Sequence, residues 1–163
     1  MHLRDVLPQD YSVLRSWRSP DVLGEFNQLG PYDRDLSGID LARLLVVRAQ
    51  DGVPIGDVNW HPVWYGPNSR SRALNIGINL VPAERGRGYG TEAQRLLALH
   101  LFATTGVYRV EASTDVENVA EQRSLEKAGF HREGVLRGAQ HRAGAWHDLV
   151  QYGMVRADLG RLR

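Results

Sequence analysis

Residues 73–81, ALNIGINLV, alternate strictly along the chain. Ala73, Asn75, Gly77 and Asn79 fall on one face, and Leu74, Ile76, Ile78 and Leu80 on the other, which is the two-residue period of a strand. A hairpin is predicted before it, over 41–66, where two apolar runs meet at Asp51-Gly52. The loop PNSRSR separates hairpin and strand. After a glycine cluster, residues 91–106 change period. Ala93, Leu96, Leu97 and Leu101 share one helical face, and Leu99 and Phe102 widen it. Residues 107–116 read as another strand. Residues 118–130 read as a helix with legible ends: Asn118 as N-cap, Glu121 three residues on as in a capping box, Gly129 at the C-cap. Residues 130–155 read as a closing hairpin.

The start of the chain is plainer. His2 to Val6 alternate as a short strand, residues 7–29 suggest two short helices broken near Pro20, and Gly30 to Gly38 are turn-rich. The order is strand, two helices, three strands, helix, strand, helix, two strands. The central strand-helix-strand unit requires a parallel pair joined by a right-handed crossover, while the flanking pairs are antiparallel. The expectation is an α/β fold of mixed type, a twisted mixed sheet of about six to seven strands flanked by about four helices. No repeat, low-complexity tract or linker interrupts it, so residues 1–163 are read as one domain.

Composition narrows the classes. The chain is 42% apolar and 24% charged, with a net charge of +1, so no global field draws it to nucleic acid or a membrane surface. Nearly all the cationic residues are Arg, with Lys127 the only lysine. There is no cysteine, which excludes disulfides, thiolate metal sites and an acyl-cysteine intermediate. The N-terminal residues lack the apolar segment of a signal peptide, and no run approaches a membrane span. A cytoplasmic location is expected.

The chemistry concentrates at Arg85-Gly86-Arg87-Gly88-Tyr89-Gly90, between the alternating strand and the long helix. A helix N-terminus leaves backbone N–H groups unpaired and favours an anion. Glycines let a ligand approach that backbone, and two arginines add charge. The stretch therefore reads as a phosphate cradle, against the plainer reading of a tight turn with no ligand. It lacks the G-K-[ST] of a Walker A loop, and its G-x-G-x-G is one residue short of the dinucleotide fingerprint. A single copy between ordered elements also differs from an RNA-binding arginine-glycine repeat.

With those residues in place, the sequence resembles the GNAT acetyltransferase superfamily, whose pyrophosphate signature is Q/R-x-x-G-x-G/A. It is similar in particular to the RimJ/RimL-like branch. The resemblance rests on Ile76-Gly77-Ile78, Gly88 to Ala93, Asn118, Glu126-Lys127-Ala128-Gly129-Phe130, Glu133 to Arg137, Gly144, Asp148 and Tyr152. It implies acetyl-CoA as acyl donor. Its pyrophosphate would lie on Arg85, Gly86, Arg87, Gly88, Tyr89, Gly90 and Thr91, and its pantetheine arm on the strand end at Asn79, Leu80 and Val81. Asn118 would sit near the sulfur and Arg123 near the nucleotide. The implied reaction is direct acetyl transfer in a ternary complex to an amine, either a protein N-terminus or a small-molecule amine. A homodimer is also implied as a possibility, with no nucleic-acid or membrane partner.

The chain departs from that family where acid–base chemistry is usually placed. Asn75 stands where many members carry Glu, Glu121 where RimL-like enzymes often carry Ser, and Leu125 where other branches carry Tyr. Candidate replacements are Glu121, alternatively only a helix cap, and Asp57 with His61, which share one face of a predicted strand. Trp17 is a candidate acceptor contact, and Trp60, Trp64 and Tyr65 are either an aromatic platform or packing. His141, His147 and Asp148 match no metal motif and are read as structural or solvated, so no metal is expected. The missing acid and base residues motivate a second reading, a non-catalytic acetyl-CoA-binding or sensor module. A nucleotide-binding domain is a third.

Overall fold

A computed structural model of the chain describes residues 1–18 and 42–161. Seven strands form one sheet in the order β1-β2-β3-β4-β5-β7-β6. These are β1 (His2–Arg4), β2 (Ala42–Val47), β3 (Pro54–Trp64), β4 (Arg72–Leu80), β5 (Arg109–Asp115), β6 (His131–Arg142) and β7 (Ala145–Val155). The α-helices among the described residues are α1 (Tyr11–Ser16), α2 (Tyr89–Thr104) and α3 (Val119–Ala128). The expected mixed α/β fold is present. Among the described residues three α-helices are seen, against about four expected for the whole chain. The second helix predicted before residue 29 and the turn-rich Gly30 to Gly38 lie outside the described residues.

β2, β3 and β4 are a meander, joined antiparallel with Leu45 opposite Asp57 and Asp57 opposite Asn79. Asn68 starts the loop before β4, its side-chain oxygen accepting from the Arg70 and Ser71 amides. β4 and β5 are parallel, joined by α2 as the crossover, but their ladder is short: Leu74 pairs with Val110 and Asn75 with Glu111. Beyond that point Ile76 to Leu80 remain paired to β3, and Ala112 to Asp115 to β7. The sheet therefore divides into two halves that part company in its middle.

The alternation read from the sequence decides which faces are buried. Leu74 and Ile76 join Val110, Ala112, Val150, Tyr152 and Met154 beneath Leu97, Leu101 and Phe102 of α2 and Leu125 of α3. Burial of that many aliphatic and aromatic side chains is the main driving force for folding. The opposite face carries a smaller cluster of Leu14, Trp17, Leu45 and Val47. Trp17, 8% exposed, is a packing residue of that cluster. No helix among the described residues is long and apolar enough to cross a membrane.

Candidate active site

The divergence of β4 and β5 opens a cleft of about 880 Å³. Its walls are Ile76 to Leu80 of β4, Ala112 to Asp115 of β5, the glycine loop, Asn118 at the head of α3, and Glu121, Arg123 and Ser124 within that helix. Gln140 and Leu149 line it from the closing hairpin.

Gly88 is the N-cap of α2, in the left-handed region at φ 84°, and Gly86 is also left-handed at φ 72°. A side chain there is strained, which explains glycine at both. An added Cβ at either would meet nothing within 4 Å, so this backbone is open to a ligand. The first intrahelical bond runs from the Glu92 amide to the Gly88 carbonyl, so the amides before Glu92 have no partner in the helix ladder. The helix starts at Tyr89, two residues ahead of the apolar run, because the glycine cap is already in place. Glu84 anchors the loop from below. Its carboxylate pairs with Arg48 at 2.5 Å and approaches Arg87 at 3.7 Å.

The predicted donor-binding residues divide. Asn79, Leu80, Arg85, Gly86, Gly88, Gly90, Thr91, Asn118 and Arg123 converge on the cleft. Arg87, Tyr89 and Val81 are outside its lining. Tyr89 packs against the main core, and the Val81 amide donates to the Ile55 carbonyl at 3.0 Å. Arg85 Nε donates to the Leu80 carbonyl at 2.9 Å, tying loop to strand end.

Asn118 caps α3 as its position predicts, its Oδ1 accepting from the Glu121 amide at 3.2 Å. The reciprocal half of a capping box is replaced: the Asn118 amide donates to the Asp115 carbonyl, and the Glu121 carboxyl turns to Gln94 Nε2 on α2. Burial pushes the Glu121 carboxyl up to about 7, and the Gln94 amide opposes that rise. Glu121 is thus an acid poised near neutrality inside the cleft.

Asp57 and His61 do share a face of β3 but occupy different places on it. Asp57 is buried opposite Asn79, with the side-chain amides of Asn59 and Asn79 beside it. Burial raises its carboxyl above the usual range, with Arg43, the two amides and Arg18 opposing. His61 is exposed, opposite Asn75. Four residue steps along the strand separate them by about 13 Å.

The remaining aromatic and histidine candidates are dispersed. Trp60 packs on the core edge near His100, Trp64 is exposed, and the Tyr65 hydroxyl donates to Glu111 at 2.7 Å, so the three form no platform. His141 lies edge-on to Trp146. His147 is near Asp115, and Asp148 accepts from the Gly138 amide.

Sequence reading missed Gln94 and Ser124. Gln94 is 2% exposed. Its signal was available: a polar side chain on the buried stripe that includes Leu97, Ala98 and Leu101.

The strand-loop-helix segment lies at the mouth of a split parallel pair, and comparison with known proteins decides the family. Residues 2–131 match the acetyltransferase (GNAT) domain. The chain belongs to the GNAT acetyltransferase family. It is 31% identical over 145 residues to a probable N-acetyltransferase, YjcK, of Bacillus subtilis, covering 89% of this chain and 78% of that protein. A putative ribosomal N-acetyltransferase of B. subtilis, YdaF, is 28% identical over 124 residues, covering 76% of this chain and 63% of its own length. Among solved structures, RimJ of Mycobacterium smegmatis in complex with CoA-disulfide superposes with a TM-score of 0.79 at 22% identity, over 96% of this chain and 82% of that one. The aminoglycoside acetyltransferase AAC(6')-Ib, in complex with coenzyme A and kanamycin, gives 0.75 at 20% identity, over 98% and 96%. These two share the fold. The chain is a GNAT acetyltransferase with acetyl-CoA as its acyl donor, and the open glycine backbone at the head of α2 suits the donor's diphosphate.

Proposed function

We propose that this GNAT acetyltransferase moves the acetyl group directly to a primary amine in a ternary complex. The acceptor is a protein N-terminus or a small-molecule amine. The observation that carries this reading is the position of Glu121: a half-buried carboxyl facing the same cleft as the glycine-capped helix.

Bound acetyl-CoA supplies an activated acyl carbon and a thiolate leaving group. The chain's own residues then have three tasks. The amides from Gly86 to Thr91 and the dipole of α2 hold the donor's phosphates, helped by Arg123 from α3. Asn118 orients the arm beside the cleft with the amide hydrogens left free by its capping bond. Glu121, protonated near neutrality, returns a proton to the leaving sulfur. Asp57, buried beside Asn79, takes the proton that the attacking amine loses, and exposed His61 contacts the acceptor further along β3.

The test is thiol release from acetyl-CoA across a panel of peptides and small amines, with the acetylated product confirmed by mass. Turnover that falls at least 100-fold in Glu121→Gln supports the assignment, within the usual contribution of general acid catalysis, about 10²–10⁴-fold. Donor binding with no turnover on any amine supports the sensor reading instead.

A further inference from the structure

We infer that Gln94 is a positioning residue for acetyl transfer, holding Glu121 Oε1 so that the transferable proton sits on Oε2 and faces the cleft. The inference rests on the reading of Glu121 as the acid that protonates the leaving sulfur.

The geometry is a directed chain of hydrogen bonds between the first two turns of α2 and the first two of α3. Ser124 Oγ donates to Gln94 Oε1 at 3.3 Å, and Gln94 Nε2 donates to Glu121 Oε1. The Thr91 and Ser124 hydroxyls are 3.1 Å apart. A hydroxyl has one hydrogen, and that of Ser124 is committed to Gln94, so Thr91 is the donor in this pair. In this arrangement the Gln94 amide oxygen faces Ser124 and its nitrogen faces Glu121. An N–H can point only at a lone pair, so Glu121 Oε1 is an acceptor. The proton of the neutral acid is therefore on Oε2.

Glu121 Oε2 has no hydrogen-bond partner among the described residues, and it is not sealed from solvent. It belongs to a side chain that lines the cleft, whereas Gln94 lies behind it, 2% exposed and absent from the lining. When the acid acts, the Oε2–H bond breaks and an S–H bond forms at the departing thiolate. The negative charge passes to Glu121, where the Gln94 N–H already points at the carboxylate. Solvent in the cleft restores the proton.

The other charged side chains of the cleft are Arg85 from the glycine loop, Asp115 from β5, and Arg123 and Lys127 from α3. β4 contributes none. None of these sets the Glu121 proton; burial raises its affinity and the Gln94 amide lowers it. Loss of that amide therefore has a definite sign. It destabilises the carboxylate and moves the titration to higher pH.

The experiment is the pH profile of kcat in Gln94→Leu, Ser124→Ala and Glu121→Gln, with donor affinity measured by calorimetry. In the parent, activity falls as pH rises through about 7, the titration of Glu121. In Gln94→Leu the expected result is a kcat about 10-fold lower and a descending limb moved upward by up to about one pH unit, with donor affinity retained. Ser124→Ala leaves the amide present but unanchored, and gives a smaller shift of the same sign. It also decides the matter if Gln94→Leu does not fold. A limb that stays in place in every folded variant, whatever the loss of rate, overturns the inference and leaves Gln94 a packing residue. Glu121→Gln separates the two claims. If it retains the parent's limb, the acid assignment itself fails. If it loses the limb while Gln94→Leu and Ser124→Ala leave it unmoved, the role of Gln94 alone fails.

Discussion

Arg142 NH2 meets Asp115 Oδ2 at 2.8 Å, with the two side chains 8% and 1% exposed. The pair ties the tip of the closing hairpin to the end of β5, where Asp115 and Gln140 form one end of the cleft. Asp115 also accepts from the Glu117 amide at 2.8 Å, and Arg142 donates to Gln140 at 2.9 Å. Arg142→Met removes one member of a sealed pair and leaves a buried carboxylate with fewer partners. The expected loss of stability is about 3–5 kcal/mol, read as a drop in urea midpoint at pH 7.5.

Asn118 both caps α3 and lines the cleft. Asn118→Ala is expected to cost about 1 kcal/mol in unfolding free energy, the ordinary value of an N-cap. Donor affinity is expected to fall as well, because the role proposed for the same side chain is to orient the arm. Asn118→Asp separates the effects: it keeps the cap and removes the amide hydrogens, so stability is expected to recover while donor affinity does not.

Glu121 gives folding stability a pH dependence of unusual sign for a carboxylic acid. Its folded titration lies at about 7, above the unfolded value of about 4.3. Between those two values the folded chain binds the extra proton, so the Glu121 contribution is full below the lower value and is lost as pH rises through the upper one. Glu121→Gln removes this contribution. The difference in unfolding free energy between parent and variant should therefore change steadily from pH 4.5 to 7.5, against the parent. A constant difference means the carboxyl is not held neutral.

Asp10 has the opposite sign. Arg4 grips it with two nitrogens, at 2.7 and 2.9 Å, and the Leu7 amide adds a third bond at 2.7 Å. The Arg4 bonds, then the Leu7 amide, bring its carboxyl down to about 2. Its contribution is present above the ordinary carboxylate range and is lost as pH falls toward 2. Arg4→Met is expected to narrow the gap between stability at pH 5 and pH 3, measured by denaturant titration.

Gly56 on β3 lies against the backbone of β4, where a Cβ would collide with the Asn79 carbonyl and come within 2.7 Å of Leu80 Cδ2. Gly56→Ala is expected to cost about 1–3 kcal/mol through overpacking and to displace the strand end that forms one wall of the cleft. Thermal melting reads the first effect and donor calorimetry the second.

Much of this site was legible in the sequence because it rests on local rules. The alternation of residues 73–81 gave the correct inner face of β4, since a strand has only two faces to choose from. Asn118 and Gly129 marked the ends of α3 because capping needs only the neighbouring backbone. Arg85 to Gly90 marked the open, glycine-capped start of α2 for the same reason. The direction of the Glu121 side chain was not legible. A capping box and a bond to Gln94 use the same residue, and only the packing of α3 on α2, 27 residues away, selects between them. Trp17 likewise joined the small cluster with Leu45 and Val47 because β2 passes beneath it, a contact that helical spacing does not encode. The distance between Asp57 and His61 follows from strand rise, but their burial does not. One lies under its neighbours and the other at the open end of β3.

Calorimetry with coenzyme A on the parent, Gly88→Ala and Gly88→Glu shows whether the donor's phosphates lie on the backbone at the head of α2. Gly88 has φ 84°, so both substitutions carry the same backbone strain of about 1–2 kcal/mol, and only one adds a carboxylate. With the phosphates on that backbone, the parent binds, Gly88→Ala binds more weakly but measurably, and Gly88→Glu does not bind, with no comparable affinity for ATP or NAD in any of them. Equal binding by Gly88→Ala and Gly88→Glu, or no binding by the parent, would contradict that placement.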